Sequence, residues 1–244
     1  MARPFLVIQL RPEDITAENE FQAICQYAEL ASDNVVRVRA EQSGLPDINL
    51  ADYSGIIVGG SPFDVTTPET DKPPIQILLE QQFSMLFRQI LIEDFPFLGC
   101  CSGNGLLGNY LGTAMSRRYA ESVACKPVFL TQEGSEDPLL AEFPDMIHVY
   151  LGHKEACDEV PPNAVLLISG EDCPVQMFRL NNNVYATQFH PEGDEAGFAL
   201  RIRVYQNHGY FQPDEVESLI DGLYGKDTSY AQTILKRFVC RYQA

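Results

Sequence analysis

Short apolar runs alternate with longer amphipathic segments through the first hundred residues, and this alternation constrains the fold more than any other feature. Strands are predicted where β-branched and other apolar side chains follow one another, at residues 5–10, 35–38, 56–58 and 95–100. Helices are predicted where apolar side chains recur every three or four positions, at residues 18–32 and 74–93. Strands that alternate with helices form a parallel sheet joined by right-handed crossovers, which predicts an α/β fold.

The second half of the chain has a different pattern. Most of it is predicted to form strands, at residues 123–130, 147–151, 165–168, 175–180 and 184–189. Three asparagines at residues 181–183 predict a hairpin turn, because asparagine tolerates left-handed backbone geometry. Helices return after His190, and those beyond residue 212 either cap the sheet or carry a dimer contact. Without a repeat or a flexible linker, we expect residues 1–244 to form a single domain with a C-terminal helical segment over about 212–244.

The charge balance argues against several kinds of partner. Asp and Glu number 34 against 17 Lys and Arg, so the net charge of −17 repels phosphate backbones and anionic lipid. We therefore expect no nucleic-acid and no membrane partner. No stretch reaches the roughly 18 apolar residues of a membrane span, and the first apolar run is too short for a signal peptide. The seven scattered cysteines indicate free thiols in a reducing cytoplasm.

The most informative motif is Gly-Cys-Cys-Ser-Gly at residues 99–103, between a predicted strand and a predicted helix. This is the cysteine form of a nucleophile elbow, in which glycines permit a tight turn. Cys101 is its central residue, at a helix start whose free N–H groups favour a thiolate, and Cys100 is expected to point into the sheet. The alternative is a buried strand that leads into a Gly-rich loop, with both cysteines in the core. The glycines match neither a phosphate-binding loop nor a dinucleotide fingerprint.

A thiol nucleophile needs a base and a group that orients the base. Of the four histidines, His190 is the best placed, because the strand at 184–189 delivers it to an end of the sheet. Glu192 follows two residues later and can reach back to the imidazole. The sequence has no H-E-x-x-H motif and no close Cys/His cluster, so we predict neither a metal nor another cofactor.

Residues 97–103 and 188–192 together resemble class I glutamine amidotransferases, particularly free-standing proteins similar to the glutaminase domain of GMP synthase. The resemblance covers most of the chain and includes residues 56–62, 152–155 and 173–176. It implies a three-layer sandwich with a mostly parallel, flavodoxin-like sheet and a small antiparallel region.

The resemblance also implies a catalytic triad. Cys101 would attack the amide carbonyl of glutamine or of another γ-glutamyl compound, His190 would carry the proton to the leaving ammonia or amine, and Glu192 would orient the imidazole. A γ-glutamyl thioester would form, and water would release glutamate. The backbone N–H groups of Gly60 and Ser102 would hold the oxyanion.

Two departures from the family pattern affect the substrate site. Gly105 stands where family members commonly carry a glutamine that helps to bind the substrate. The family's Gly-Gly-Pro loop reads Gly-Gly-Ser-Pro here, and Ser61 shapes that loop. Because of the extra residue, the alternative is that the oxyanion donor lies one position away from Gly60. Residues 153–155 either line the mouth of the site or form a solvated strand end.

Three functions remain open from the sequence. The first is a glutaminase that passes ammonia to an acceptor, which would require a separate synthetase subunit. The second is a free-standing γ-glutamyl peptidase that acts on small γ-glutamyl conjugates, which Gly105 favours by leaving space. The third is a catalytically silent binding module on the same fold.

Overall fold

The computed structural model describes residues 3–209 and 211–243. Within them the chain forms eleven strands: β1 (Phe5–Gln9), β2 (Val35–Arg39), β3 (Gly55–Val58), β4 (Phe97–Cys100), β5 (Met115–Ser116), β6 (Glu121–Leu130), β7 (Met146–His153), β8 (Ala156–Cys157), β9 (Ala164–Ser169), β10 (Met177–Leu180) and β11 (Val184–Thr187). The same residues form eight α-helices: α1 (Asp14–Tyr27), α2 (Ala40–Ser43), α3 (Pro74–Glu93), α4 (Ser102–Tyr110), α5 (Gln132–Ser135), α6 (Glu195–Tyr205), α7 (Val216–Asp221) and α8 (Ser229–Tyr242).

Nine of these strands form one sheet in the order β2-β1-β3-β4-β11-β10-β9-β6-β7. The first five are parallel neighbours, and the remaining four pair antiparallel. Only β10 and β6 run against the other seven strands, so the prediction of a mostly parallel sheet is confirmed. Strands β5 and β8 form a separate antiparallel pair.

Helices cover both faces of the sheet, as the pleat of β1 demonstrates. Phe5 and Val7 belong to one core cluster, with residues of α1 and α8, whereas Leu6 and Ile8 belong to a second cluster with residues of α3. All four side chains are fully buried. A strand with helices on both faces has no polar face, which explains the continuous apolar run in the sequence. The predicted three-layer α/β sandwich is therefore confirmed.

Most element boundaries follow the sequence signals. Helix α3 has the predicted bounds, and Asn181 adopts a φ of 50° in the predicted hairpin turn. Helix α1 differs, because it begins at Asp14 and ends at Tyr27 rather than spanning 18–32. Glu29 has a φ of 55°, and a left-handed residue at that point ends a helix.

The C-terminal helix caps the sheet. The Phe238 ring of α8 lies 6.1 Å from that of Phe5, and both belong to the same core cluster. Of the two roles left open by the sequence, sheet capping is the one observed. None of the helices in the described ranges has the length and apolar character needed to cross a membrane.

The topology brings four strand ends together. Strands β1, β3, β4 and β11 are consecutive in the sheet and parallel, so their carboxyl ends share one edge. Ligands of such sheets bind at this edge. The residues that follow these strands include Arg11, Gly60, Cys101 and His190.

Candidate active site

Cys101 sits on a strained turn between β4 and α4. Its backbone has a φ of 52° and a ψ of −94°, and it is the N-cap residue of α4. A non-glycine residue in such a conformation costs about 1–3 kcal/mol and persists only where its surroundings impose it. The Cys101 N–H donates to the Thr187 carbonyl at 2.8 Å, which ties the turn to the end of β11. Cys100 is fully buried in the core, on the side predicted for it.

The glycines of the elbow are required by close backbone packing. A Cβ atom on Gly99 would lie 2.7 Å from the Gly103 carbonyl carbon, and one on Gly103 would lie 3.2 Å from Cβ of Val58. Gly105, further along α4, is different, because its nearest neighbour would be Glu155 Oε1 at 3.5 Å. The elbow therefore needs its glycines, whereas residue 105 has room for a methyl group.

This contrast gives a matched pair of alanine variants. We expect Gly99→Ala to lower the free energy of unfolding by about 1–3 kcal/mol, because the new methyl group overlaps the backbone of Gly103. We expect Gly105→Ala to raise it by about 0.5–1 kcal/mol, because alanine is favoured over glycine inside a helix. Urea unfolding of both variants measures the difference. Equal stabilities would show that the turn relaxes around the added methyl group.

His190 and Glu192 form a buried pair that Arg201 extends. The Nδ1 atom of His190 lies 2.7 Å from Oε1 of Glu192, and Arg201 Nη1 lies 3.1 Å from the same oxygen. Burial raises the pKa of Glu192, but His190 and Arg201 outweigh it and hold that pKa well below its usual range. The carboxylate is thus ionised and accepts a hydrogen bond from the Nδ1–H group of His190. In the neutral imidazole, Nε2 is then free to accept a proton.

Cys101 and His190 line one cavity and are both neutral at rest. Burial lowers the pKa of His190, and the adjacent Glu192 offsets this only in part. Although part of Cys101 faces the cavity, burial raises the pKa of its thiol to about 12, and Arg11 counteracts this only in part. The sequence predicted a thiolate stabilised by the helix N-terminus. The cavity instead holds a neutral thiol and a neutral imidazole, because desolvation of the sulfur outweighs the nearby positive charges.

The loop after β3 places a glycine against the imidazole. A Cβ atom on Gly60 would lie 2.7 Å from His190 Cε1 and 2.6 Å from Arg11 Nη2. The Gly60 N–H donates to Glu20 Oε2 at 3.1 Å, and the same carboxylate accepts from Arg11 Nε at 2.6 Å. The Gly60 N–H, which the sequence predicted as an oxyanion donor, is thus engaged by Glu20 in the structure. Gly60 leaves room for the side chains of Arg11 and His190.

Ser61 is coupled directly to the elbow. Its hydroxyl lies 2.8 Å from that of Ser102, and it accepts a hydrogen bond from the Phe63 N–H at 3.0 Å. Among the described residues, neither the Ser61 N–H nor the Ser102 N–H donates a hydrogen bond. These two backbone groups are available at the point where the β3 loop meets the start of α4.

Two cavities meet at Cys101. The first, here called the His190 cavity, is lined by Arg11, Cys101, His190, Phe198, Arg201 and Tyr205 among others. The second, the Gly105 cavity, is lined by Asp64, Cys101, Ser102, Gly105, Lys154 and Glu155 among others. Ser61, Cys101 and Gly152 border both cavities. The sulfur thus stands between two spaces of different composition.

Residues 153–155, for which the sequence left two roles open, line the Gly105 cavity. His153 is 4% exposed and Glu155 is 8% exposed, so they do not form a solvated strand end. The Glu155 carboxylate accepts hydrogen bonds from the Val65 N–H at 2.7 Å and the Thr66 N–H at 2.9 Å. It therefore fixes the loop that carries Asp64, whose carboxylate lies 3.0 Å from Lys154 Nζ.

In the part of the chain that the structure describes, two buried groups of side chains have the composition of metal ligands: Glu20, His190 and Glu192 in one, and Glu121, His153 and Cys173 in the other. In both, the carboxylates already face cations. Arg11 and Arg201 neutralise the first group, and Lys126 Nζ lies 3.0 Å from Glu121 Oε1 in the second. A metal ion would have to compete with these charges, so we assign none to either group.

The sequence reasoning missed three charged residues of the site. Arg11 follows the carboxyl end of β1. Because ligands of parallel sheets bind at the carboxyl ends of the strands, this position could have been predicted from the sequence. Glu20 and Arg201 lie on α1 and α6, where no local pattern distinguishes them from structural residues. Only the packing of those helices against the sheet edge brings them to His190.

Comparison with known proteins identifies the family to which the chain is similar. The family model described as "Glutamine amidotransferase class-I" matches residues 18–198. A glutamine-hydrolyzing GMP synthase of Borrelia garinii is 25% identical over 158 residues, which cover 65% of this chain and 27% of that protein. One subunit of the glutamine-hydrolyzing GMP synthase of Pyrococcus abyssi is 27% identical over 149 residues, covering 61% of this chain and 71% of the relative.

A solved structure shares the fold over nearly the whole chain. The crystal structure of a glutamine amidotransferase from Thermotoga maritima has a TM-score of 0.77 and 19% identity, and it covers 98% of both chains. The matched family model itself spans most of this chain and includes both Cys101 and His190. The chain belongs to the class I glutamine amidotransferase family.

Proposed function

We propose that this protein hydrolyses a γ-glutamyl amide through Cys101, His190 and Glu192, and releases glutamate together with ammonia or an amine. The observation that carries the proposal is the cavity shared by the Cys101 elbow and the His190 imidazole, whose Nδ1 is held by Glu192. Membership of the class I family supports an amide of the γ-carboxyl group as the bond that is cleaved.

Acylation begins with a neutral pair. The Cys101 sulfur attacks the γ-carbonyl carbon while its proton passes to His190 Nε2, and the carbonyl oxygen becomes an oxyanion. The imidazolium then donates the proton to the amide nitrogen, the C–N bond breaks, and a γ-glutamyl thioester remains. Water attacks the thioester and gives a proton to His190, which returns it to the departing sulfur. Glu192 stabilises the imidazolium that forms in both stages.

The oxyanion would be held by the N–H groups of Ser61 and Ser102. Both are free of other acceptors among the described residues, and the hydroxyl contact between these two serines holds their loops together. One such donor typically contributes about 3 kcal/mol to transition-state stabilisation. In this proposal Ser61 has the oxyanion-donor role that the sequence assigned to Gly60. The difference of one position agrees with the extra residue in the Gly-Gly-Ser-Pro loop.

We assign the γ-glutamyl group to the Gly105 cavity. Its wall carries Asp64, Lys154 and Glu155, so carboxylates for an α-amino group and an ammonium for an α-carboxylate are both present. Residue 105 contributes no side chain here, in place of the glutamine commonly found in the family. Under this assignment, charged side chains would bind the glutamyl group in place of a glutamine amide, with the Asp64–Lys154 pair shared between the ligand's two charged groups.

A panel of γ-glutamyl amides tests the proposed reaction. We expect glutamate release from at least one of glutamine, glutathione and simple γ-glutamyl amides, because the acylation chemistry is common to all of them. Glutamate release is measured with the purified chain. Absence of turnover with every member of the panel would favour the silent binding module instead.

The protonation states of the site predict the pH dependence of the reaction. His190 must be neutral to accept the thiol proton, so kcat/KM is expected to fall as pH drops, with a midpoint below 6.5, the ordinary value for histidine. No rise is expected near pH 8.5, where an ordinary thiol ionises, because Cys101 titrates at about 12. A profile that climbs around pH 8.5 would show that a thiolate is the reactive form.

A second candidate function is ammonia supply to a partner. The Pyrococcus abyssi relative is named a subunit of GMP synthase, and the match covers 71% of its length. If this chain works in the same way, it acts on glutamine together with a separate synthetase subunit. Glutaminase activity that appears only when such a subunit is added would favour this function.

A further inference from the structure

The geometry points to a subsite for a carboxylate on the leaving group. We propose that the His190 cavity binds the amino-acid product of the reaction, so that the substrate is a γ-glutamyl-amino acid rather than glutamine. This inference rests on the proposed hydrolysis and specifies its substrate class. Arg11 and Arg201 are the residues that would bind the carboxylate.

The position of the base decides which cavity receives the leaving group. His190 gives its proton to the nitrogen of the scissile amide, so the departing amine lies on the side of the sulfur where the imidazole lies. His190 lines the cavity with the two arginines and does not line the Gly105 cavity. The glutamyl part therefore occupies the Gly105 cavity, and whatever is attached to the nitrogen extends into the His190 cavity.

Arg201 has donors that no described residue satisfies. It is 5% exposed, and within residues 3–209 and 211–243 its Nε and Nη1 atoms are buried without a hydrogen-bond partner. The contact of Nη1 with Glu192 has the distance of an ion pair but lacks the geometry of a hydrogen bond. Buried donors of a charged group without an acceptor are costly, and Arg201 lines the cavity in which the proposed ligand carboxylate would lie.

Arg11 presents a second guanidinium to the same cavity. Its Nε atom donates to Glu20 and its Nη1 atom donates to the Tyr205 hydroxyl at 3.2 Å, which fixes the plane of the group. Among the described residues, Nη2 makes no hydrogen bond, and it lies close to the His190 ring across Gly60. Arginine has five donors, so both of its existing contacts can persist while a carboxylate binds at Nη2.

The remaining walls are suited to an amino-acid side chain. Val123, Phe198 and Phe211 give the cavity an apolar surface. An α-carboxylate is one carbon away from the scissile nitrogen, so in a γ-glutamyl-amino acid it lies beside the atom that His190 protonates. A small apolar side chain on that carbon would contact the phenylalanines. Ammonia, the leaving group of glutamine, uses none of these groups.

The test compares γ-glutamyl-alanine with γ-glutamyl-alaninamide, which differ only in the carboxylate. We expect kcat/KM to be about 10–100-fold higher for the acid, the effect of one or two charge-assisted hydrogen bonds. Equal values for the two would overturn the subsite and leave the hydrolysis intact, as would activity on glutamine alone. Absence of turnover for all three would refute the hydrolysis.

A binding experiment separates the subsite from the chemistry. Calorimetric titration of Cys101→Ala with the same two compounds is expected to give a Kd about 10-fold or more lower for the acid. That preference would uphold the subsite even if the native protein showed no turnover. Equal Kd values would refute the subsite whatever the activity.

A conservative variant distinguishes substrate binding from support of Glu192. Arg201→Lys keeps a cation beside Glu192 but removes the fork that matches a carboxylate. We expect kcat/KM to fall further for γ-glutamyl-alanine than for the amide, so that the preference between them shrinks. If Arg201 only positions Glu192, both substrates lose the same factor. If the first variant does not fold, Arg11→Lys tests the same loss of preference for the acid, since Arg11 pairs with Glu20 rather than with Glu192.

Discussion

Cys101→Ala is expected to lower glutamate release by a factor of about 10⁴ or more, the scale seen when a covalent nucleophile is removed. Cys101 is the residue that the strained turn presents to both cavities. The neighbouring Cys100 thiol cannot replace it, because the Cys100 side chain is fully buried in the core.

Cys100→Ala is the matched control, since it removes a thiol one position away. We expect it to retain most of the activity and to lose only modest stability. A diazoketone analogue of glutamine should label Cys101, and mass spectrometry locates the adduct. The exposed Cys240 reports non-specific reaction. Equal losses of activity in the two alanine variants would mean that the register of the elbow is wrong.

The elbow could be predicted because its constraints are local. Gly99 packs against the backbone of Gly103 four residues later, so its requirement for glycine is visible in a five-residue motif, whereas Gly103 packs against Val58 of the neighbouring strand. His190 could be predicted for a similar reason, because a strand of apolar residues ends immediately before it. The parallel sheet then places both at one edge, where sequence pattern and topology agree.

The charges around the site could not be predicted in the same way. Arg11 and Glu20 pair across nine residues, and Arg201 reaches Glu192 from a separate helix. Their pairing depends on how α1 and α6 pack, which no short pattern encodes. The prediction that Cys101 is a thiolate failed for the same reason. The helix N-terminus is a local feature, but the desolvation that raises the pKa of the thiol comes from the whole surrounding structure.

Glu192→Gln is expected to lower kcat by about 10²–10⁴-fold, since the corresponding change in a serine triad costs up to about 10⁴. A glutamine amide can donate to Nδ1, which would favour the tautomer with the proton on Nε2. That tautomer cannot accept the proton of Cys101. Even with the other tautomer, the imidazolium that forms during acylation would lack its counter-ion. Glutamate release from the best substrate measures the loss.

The same substitution should also destabilise the fold. It leaves Arg201 as a buried cation without its carboxylate, a change that typically costs about 3–5 kcal/mol. Glu217→Gln is the control, because it breaks an exposed pair with Arg203 that contributes at most about 1 kcal/mol. Urea unfolding of both variants at pH 7 gives the comparison. If Glu192→Gln unfolds like the control and keeps its activity, Glu192 neither orients His190 nor holds Arg201.

The pH dependence of that stability difference identifies its origin. The folded-state pKa of Glu192 lies below the ordinary value of 4.5, so its ionised form stabilises the native state at any pH above 4.5. As pH falls below that value, the unfolded chain takes up the proton first, and the advantage of the native protein over Glu192→Gln should shrink progressively. A difference that stays constant down to pH 3 would have to come from packing, because the charge of the carboxylate would not contribute to it.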